Sequence, residues 1–571
     1  MLTTLKQNKK YIILCLSLFI MALVVYRHFY IDELPNPDSI WNGRYHKESY
    51  KWEMALGRYM IRYWQLLFLN TINPVLNTIL AIAVNAISAV LIIRFLKINN
   101  IILQVTAAVT LILSNHVLSG LSYYYCYVYY AFASLFMVIA VILLQGKKGR
   151  HPVIILIRLL AALILICISL ATYQAYISVY VTLVAIWFLN QMLIYITNDT
   201  ADNIPEARIS EANKPEDHIK DTIITTLIYI SELIAATLVY LISNKILINL
   251  NNITMDSGRG FDTIGQLNIE TVITGITSIY TGFIDFYFGT GMLDNDAIGI
   301  ISNVSNQAII SLKFMNAILL IMIIIGLILL IITSTCKPLL RNIFSILLIL
   351  TIVMYPVFTM LIVLVAPGCD IYDTTGVMML PCMSYIWLVW AVVMDNAIKK
   401  YSYNVQRAII SVVALLSVLI IYTDISYADD TQSYMLANME RMSAVGDILS
   451  QDIDKYIVKN SDLQVCVLGT IEYGNYPDDN EAIRARMQWT TAYYRTVWEN
   501  VSAQQSIWKK YMKDYYGIKY EAVDTSTAQT IYDSEEFGQM PCYPEERSVA
   551  EVDGVMVVKL GENDISLQTD K

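Results

Sequence analysis

Residues 153–172 read VIILIRLLAALILICISLAT, and this stretch decides the class of the molecule. Its twenty positions carry a single charge, Arg158, and about 20 apolar residues are what an α-helix needs to cross a bilayer. Just upstream stand Lys147, Lys148 and Arg150; just downstream, Tyr173-Gln174 leads into another apolar run at 176–196. Two spans joined by so short a polar link form a hairpin through the membrane. The whole composition agrees. The chain has 571 residues, 56% of them hydrophobic and 15% charged, with a mean hydropathy of +0.52. Soluble globular domains carry about 45–50% apolar and about 25% charged residues. A water-soluble protein and a disordered low-complexity chain are both excluded.

Working outward, further runs lie near 11–27, 74–94, 101–115, 125–145, 222–248, 314–333, 343–365, 377–394 and 408–423. With the two above they predict a polytopic α-helical membrane protein of about 11 transmembrane helices, in contact with the bilayer throughout. The first run is read as an uncleaved anchor, because no small-residue cleavage site follows it. Lys and Arg accumulate on the cytoplasmic side of membrane proteins. Lys6, Lys9 and Lys10, Arg94 and Lys97, Lys147 to Arg150, Lys337 and Arg341, and Lys399, Lys400 and Arg407 therefore lie inside. The loops near 116–124, 173–175 and 366–376 carry no Lys or Arg and lie outside. This predicts a cytoplasmic N-terminus and a C-terminal region outside the cell. Usage rich in Ile, Asn, Lys and Tyr points to a bacterial plasma membrane.

The expected division is 1–424, the membrane domain, and 425–571, a small extracytoplasmic α/β domain. From Asp424 onward the chain holds 26 acidic and 13 basic residues, whereas the whole chain has a net charge of −9. The balance argues against a nucleic-acid partner. Residues 432–457 have helical apolar periodicity, and 463–468 and 555–560 read as strands. The Gly469 to Gly474 spacing lacks the Lys and Ser/Thr of a phosphate loop. Eight cysteines show no CxxC or CxxH spacing, so no zinc or redox motif is present, and Cys466 with Cys542 is an open candidate pair. No metal cage and no cofactor motif is found.

One outside segment breaks the charge rule. Arg44, Lys47, Lys51, Arg58 and Arg62 fall within a sector of about 60° if 44–62 is one continuous helix, which Gly57 would interrupt. Trp41, Tyr45, Trp52, Leu56, Tyr59 and Tyr63 flank it. Two readings stay open: a basic helix lying on anionic headgroups, or a stripe binding the phosphate of a substrate. Just before it runs Tyr30-Ile31-Asp32-Glu33-Leu34-Pro35-Asn36-Pro37-Asp38, with two adjacent acids at the exit of the first span. Pro35 and Pro37 stop the helix there. A carboxylate beside a cationic phosphate clamp is the equipment for moving a sugar off a lipid phosphate.

Asp32-Glu33 after the first span, Glu53-x-x-x-Gly57-Arg58 on a juxtamembrane helix and Tyr173-Gln174 at a later external turn resemble the type II glucosyltransferase family. These are bacterial, O-antigen-modifying membrane enzymes of the GT-C fold, and the likeness covers roughly 1–424. The acidic pair also resembles that of the protein O-mannosyltransferases, another GT-C group. One departure is that no arginine lies between Arg341 and Arg407, where relatives often carry one ahead of a late span; Asp370, Tyr372 and Asp373 occupy that loop. The resemblance implies a polyprenyl-phosphate-linked sugar donor, a glycan acceptor in the cell envelope and inversion at the anomeric carbon.

The residues divide the chemistry as follows. Asp32 is the expected general base, with Glu33 orienting the acceptor or replacing it. Arg58, Arg62, Arg44 and Lys51 are expected on the donor phosphate, arginine because its planar fork matches phosphate oxygens. Glu53, Tyr173, Gln174, His116 and Arg259 are expected to contact substrate, although Arg259 is open to a plain structural reading and His116 is more readily a satisfied interfacial histidine. A polysaccharide polymerase or ligase would need a larger external loop than 250–313. A lipid-linked sugar flippase or transporter would show internal repeats and broken, polar midmembrane helices, and no repeat is found.

Overall fold

The computed structural model describes residues 2–43, 50–145, 151–198, 215–254, 268–288, 307–334, 338–365, 380–459, 464–469, 501–542, 545 and 547–561. The chain begins with α1 (Leu2–Val25) and three short helices, α2 (Arg27–Ile31), α3 (Pro37–Asn42) and α4 (Tyr50–Ala55), followed by α5 (Met60–Leu67). The membrane bundle continues as α6 (Pro74–Phe95), α7 (Ile101–Ile112), α8 (Asn115–Ser122), α9 (Tyr127–Leu144), α10 (Pro152–Thr172), α11 (Ile177–Asn198) and α12 (Pro215–Leu250). Next comes α13 (Ile269–Phe288), then helices Gln307–Ile332, Pro338–Val353, Tyr355–Thr359, Leu361–Val365 and Ile386–Ile398. Proline opens α3, α6 and α10 behind the caps Asn36, Asn73 and His151, where a missing N–H costs nothing.

Among the described residues eight helices are long and apolar enough to cross a membrane: Pro74–Phe95, Ile101–Ser122, Tyr127–Leu144, Pro152–Thr172, Gln174–Thr197, Ile219–Leu250, Phe314–Ile332 and Tyr403–Ser433. Three of the eleven sequence runs fall elsewhere. The first coincides with α1, which buries Leu14, Leu18 and Ala22 at four-residue steps and exposes Ile12, Leu16 and Ile20. The run at 343–365 breaks into three short helices, with Pro356 in the first turn of the second. The run at 377–394 becomes the 13-residue helix Ile386–Ile398 behind a 3-10 turn. The third span also differs from expectation: it does not end at Asn115-His116 but bends at Leu113 and continues as α8, with every residue from His116 to Ser122 buried.

α9 lies at the centre, packed on α6 and α10. Small residues let the helices approach, and Ser169 Oγ donates to the Ala133 carbonyl at 2.8 Å. α10 and α12 are peripheral and expose Ile154, Ile157, Leu160, Ile164, Leu227 and Ile234. Arg158, costly in hydrocarbon, turns its guanidinium back to the Gln145 carbonyl at the end of α9, 2.9 Å away.

The bundle end distant from Tyr173 is closed by Asp395. Its carboxylate is buried and accepts from the Asn99 and Asn100 amides (3.1 and 2.8 Å) and from Lys399 Nζ (2.7 Å). Asp395→Ala orphans two backbone donors and is expected to cost about 1–3 kcal/mol. Lys399→Ala, which removes a half-exposed partner, should cost about 0–1 kcal/mol. Thermal unfolding of the two variants in detergent checks the order.

Residues 403–459 form one helix of 57 residues, Tyr403–Lys459, so the expected boundary at 424 falls inside a continuous element. Beyond it a four-stranded sheet runs in the order β2-β1-β4-β3, with β1 (Gln464–Leu468), β2 (Glu521–Ala522), β3 (Val549–Val552) and β4 (Val555–Lys559). β1 is parallel to β2 and β4, and β3 is antiparallel to β4. Strand side chains alternate between faces. Val465, Val467, Met556 and Val558 pack under helix Val501–Tyr516 and the long helix, while Cys466, Leu468, Val555 and Val557 pack under Thr525–Tyr532 and Glu535–Gln539. Where β2 ends, Gln505 replaces it, accepting from Val467 N–H (3.0 Å) and donating to its carbonyl (2.6 Å). Cys466 and Cys542 are not joined in a disulfide.

Candidate functional site

The motif Glu53-x-x-x-Gly57-Arg58 is the C-terminal cap of α4. Gly57 sits at φ +74°, donates its N–H to the Met54 carbonyl (2.9 Å), and is followed by Arg58, whose N–H reaches back to the Glu53 carbonyl (2.8 Å). This is the paired 5→2 and 6→1 closure of a Schellman motif, which needs a left-handed residue at its turn, and glycine takes that conformation without strain. Gly57 therefore does interrupt the helix expected over 44–62, and α5 starts afresh at Met60. The cap folds the chain so that the Glu53 and Arg58 side chains meet, Nη1 to Oε2 at 3.8 Å, both almost fully buried.

The turn is fastened from behind. Gln174 Nε2 donates to the Leu56 carbonyl (2.8 Å) and to Tyr240 Oη (2.8 Å), and the Tyr240 hydroxyl donates to the Gly57 carbonyl (3.1 Å). Tyr59 stacks on Tyr240 and shares a hydrogen bond with Ser243. In front, the Arg58 guanidinium lies over the Tyr173 ring, 4.6 Å from its centre, and Tyr173 is stacked on Tyr130 at 4.5 Å. Both contacts are favourable for a cation confined among π faces.

Arg58 is only 8% exposed, yet its Nε makes no hydrogen bond among the described residues. Burial opposes its charge, but Tyr130, Tyr173, Glu53 and Tyr125 outweigh that and raise its pKa, so it stays a cation. A buried guanidinium has five donors in a rigid fork, and an unused one buried there costs free energy unless a ligand takes it. Of that fork, Nε is the donor left open.

The Tyr125 phenol is pushed up chiefly by burial, with the acids Asp38 and Glu53 reinforcing it. Tyr125 and Tyr130 act on Arg58 from a tyrosine run, 123–130, whose spacing gives no signal of that approach.

The structure brings Glu53, Arg58, Tyr173 and Gln174 together. The other expected residues make their contacts elsewhere. Asp32 closes α2, and its Oδ2 is 2.7 Å from His28 Nδ1, with a third of the side chain exposed. Glu33 follows in left-handed conformation at φ +51°, uncommon for a residue with a Cβ. Arg62 donates to Asn70 Oδ1 at 3.0 Å, and Lys51 is exposed. His116 is buried in α8 against Tyr176 Oη at 3.1 Å rather than at a helix end facing outward. Arg44, Lys47, Arg259, Asp370, Tyr372 and Asp373 lie outside the described residues.

Residues 42–386 match the family described as Glucosyl transferase GtrII. The matched stretch contains Glu53, Arg58, Tyr173 and Gln174; Asp32-Glu33 and the sheet domain fall outside it. No curated protein and no solved structure matches the chain.

Proposed function

The chain belongs to the GtrII glucosyl transferase family, and from that premise we propose that it moves a hexose, glucose or a close relative, from a polyprenyl-phosphate donor to a cell-envelope polysaccharide. The reaction runs at the outer face of a bacterial plasma membrane, within a GT-C-like body of about eleven crossings whose N-terminus is cytoplasmic and whose sheet domain is extracytoplasmic. The observation that carries this reading is the buried Arg58 fork, with an open Nε donor and a Tyr173 platform beneath it.

The acceptor hydroxyl attacks the anomeric carbon from the face opposite the phosphate. A new C–O glycosidic bond forms as the bond to the phosphate oxygen breaks. Configuration inverts, and the lipid phosphate leaves with the bonding electron pair. Arg58 stabilises the charge growing on that phosphate, Glu53 holds Arg58 in place, and Gln174 and Tyr240 fix the turn that aims it. The hydroxyl proton passes to Asp32, which His28 orients through the 2.7 Å contact, and Glu33 is the neighbouring acid on the acceptor. Hydrogen bonds to ionised partners are short and strong.

The test uses the full-length protein in sealed vesicles supplied with polyprenyl-phosphate glucose and polysaccharide extracted from the source strain. Glucose appearing on the polymer supports the reading. Donor crossing the bilayer with no transfer, the behaviour of a flippase, overturns it.

A further inference from the structure

The turns that carry Arg58 and Tyr173 are far apart in the chain, and one residue of α5 reaches from the first to the second. α5 runs on from the Arg58 turn and carries Trp64, whose indole Nε1 donates to Thr172 Oγ1 at 3.0 Å in a buried contact. Thr172 is the last residue of α10 and stands directly before Tyr173. Its hydroxyl proton goes to the Ile168 carbonyl at 2.8 Å, so toward the indole it accepts. An indole N–H can only donate. The bond therefore has one polarity, and a buried donor that lost it would stay unpaired at a cost.

The Trp64 ring is braced as well as bonded. It is 8% exposed and lies stacked against Phe132 at 5.4 Å and against Tyr129 and Phe136 at 6.0 Å each. Positions 129, 132 and 136 share one face of α9. One turn along α5, Phe68 meets the Tyr129 ring edge-on at 5.3 Å. The same helix α9 carries Tyr130, on which Tyr173 stacks at 4.5 Å. Tyr173 is thus held from two directions, through its neighbour Thr172 and through its own ring, with the Arg58 guanidinium 4.6 Å above it.

We infer that Trp64 is a positioning residue for the transfer site: its hydrogen bond to Thr172, braced by the α9 aromatics, sets where the Tyr173 ring stands beneath Arg58. The indole touches neither sugar nor phosphate and acts through that pair. The inference rests on the transferase reading and deepens it.

In the vesicle assay, Trp64→Phe keeps an aromatic ring against α9 but has no N–H. Its kcat should fall about tenfold, part of the roughly 10²-fold that an ångström of misplacement costs. KM for the polysaccharide should stay within about twofold. Thr172→Val removes the acceptor at nearly constant shape and should match this loss, whereas Thr172→Ser restores the hydroxyl and should restore kcat. In protein already carrying Arg58→Ala, Trp64→Phe should cost about twofold at most, because its effect passes through the guanidinium; independent structural damage would multiply the two losses. Should Trp64→Phe fail to accumulate, Thr172→Val carries the same comparison. Unchanged kcat in both variants, an equal loss in acceptor KM, or full multiplication with Arg58→Ala overturns the positioning role. Absence of transfer by the wild-type protein overturns the transferase reading instead, and this role with it.

Discussion

Arg58→Ala should abolish most of the activity, lowering kcat/KM for transfer by about 10²–10³-fold, the scale set by deleting one preorganised donor to a developing oxyanion. The effect should fall mainly on kcat, because the phosphate gains charge as the sugar departs and the interaction strengthens on the way to the transition state. Arg58→Lys should recover little. A lysine keeps the charge but not the fork, and it loses the flat stacking on Tyr173. Initial rates with polyprenyl-phosphate glucose, at equal amounts of folded protein, decide the matter. A variant with near-wild-type kcat would remove the phosphate assignment. The protein itself should survive the change, since the cap of α4 is closed by backbone hydrogen bonds and Gly57 rather than by the guanidinium.

Asp32→Asn is expected to lower kcat by about 10²–10⁴-fold, the contribution of a positioned general base. Asparagine is nearly isosteric and keeps an oxygen for His28, so α2 and its contacts with the long helix, Arg27 to Asp429 at 2.9 Å among them, should persist. The loss should therefore appear in kcat with little change in donor KM. Kinetics of the asparagine variant beside those of Glu33→Gln separate the two acids. If Asp32→Asn transfers normally and Glu33→Gln does not, the base is Glu33.

The bundle is legible in the sequence because hydrocarbon demands the same thing of every span, about 20 apolar residues with all backbone groups paired internally. What hydropathy cannot register is a polar residue paired inside the bundle. Asn115-His116 has the composition of a helix end, yet His116 finds Tyr176 from a distant helix and the chain runs on to Ser122. The break at Gly57 was readable, since a glycine readily takes the left-handed conformation that ends a helix. Tyr125 and Tyr130 were not, because their approach to Arg58 is set by packing between segments far apart in the chain. Strands β1 and β4 announced themselves as short apolar runs, whereas β2 and β3 did not. The attachment of the sheet domain to α3 was equally hidden, as Lys510, which donates to the Trp41 carbonyl, is 469 residues away from it.

The helix Tyr403–Lys459 passes from the bundle into the sheet domain without a hinge, and a helix advances about 100° per residue. The sheet domain is thus geared to the bundle in angular phase. Adding or removing one residue in that shaft would swing Lys510 away from Trp41, whereas a change of seven, close to two full turns, would return it nearly to register. Transplanting such a domain between relatives is accordingly a problem of keeping helical pitch, and a length-matched junction counts for more than a sequence-matched one.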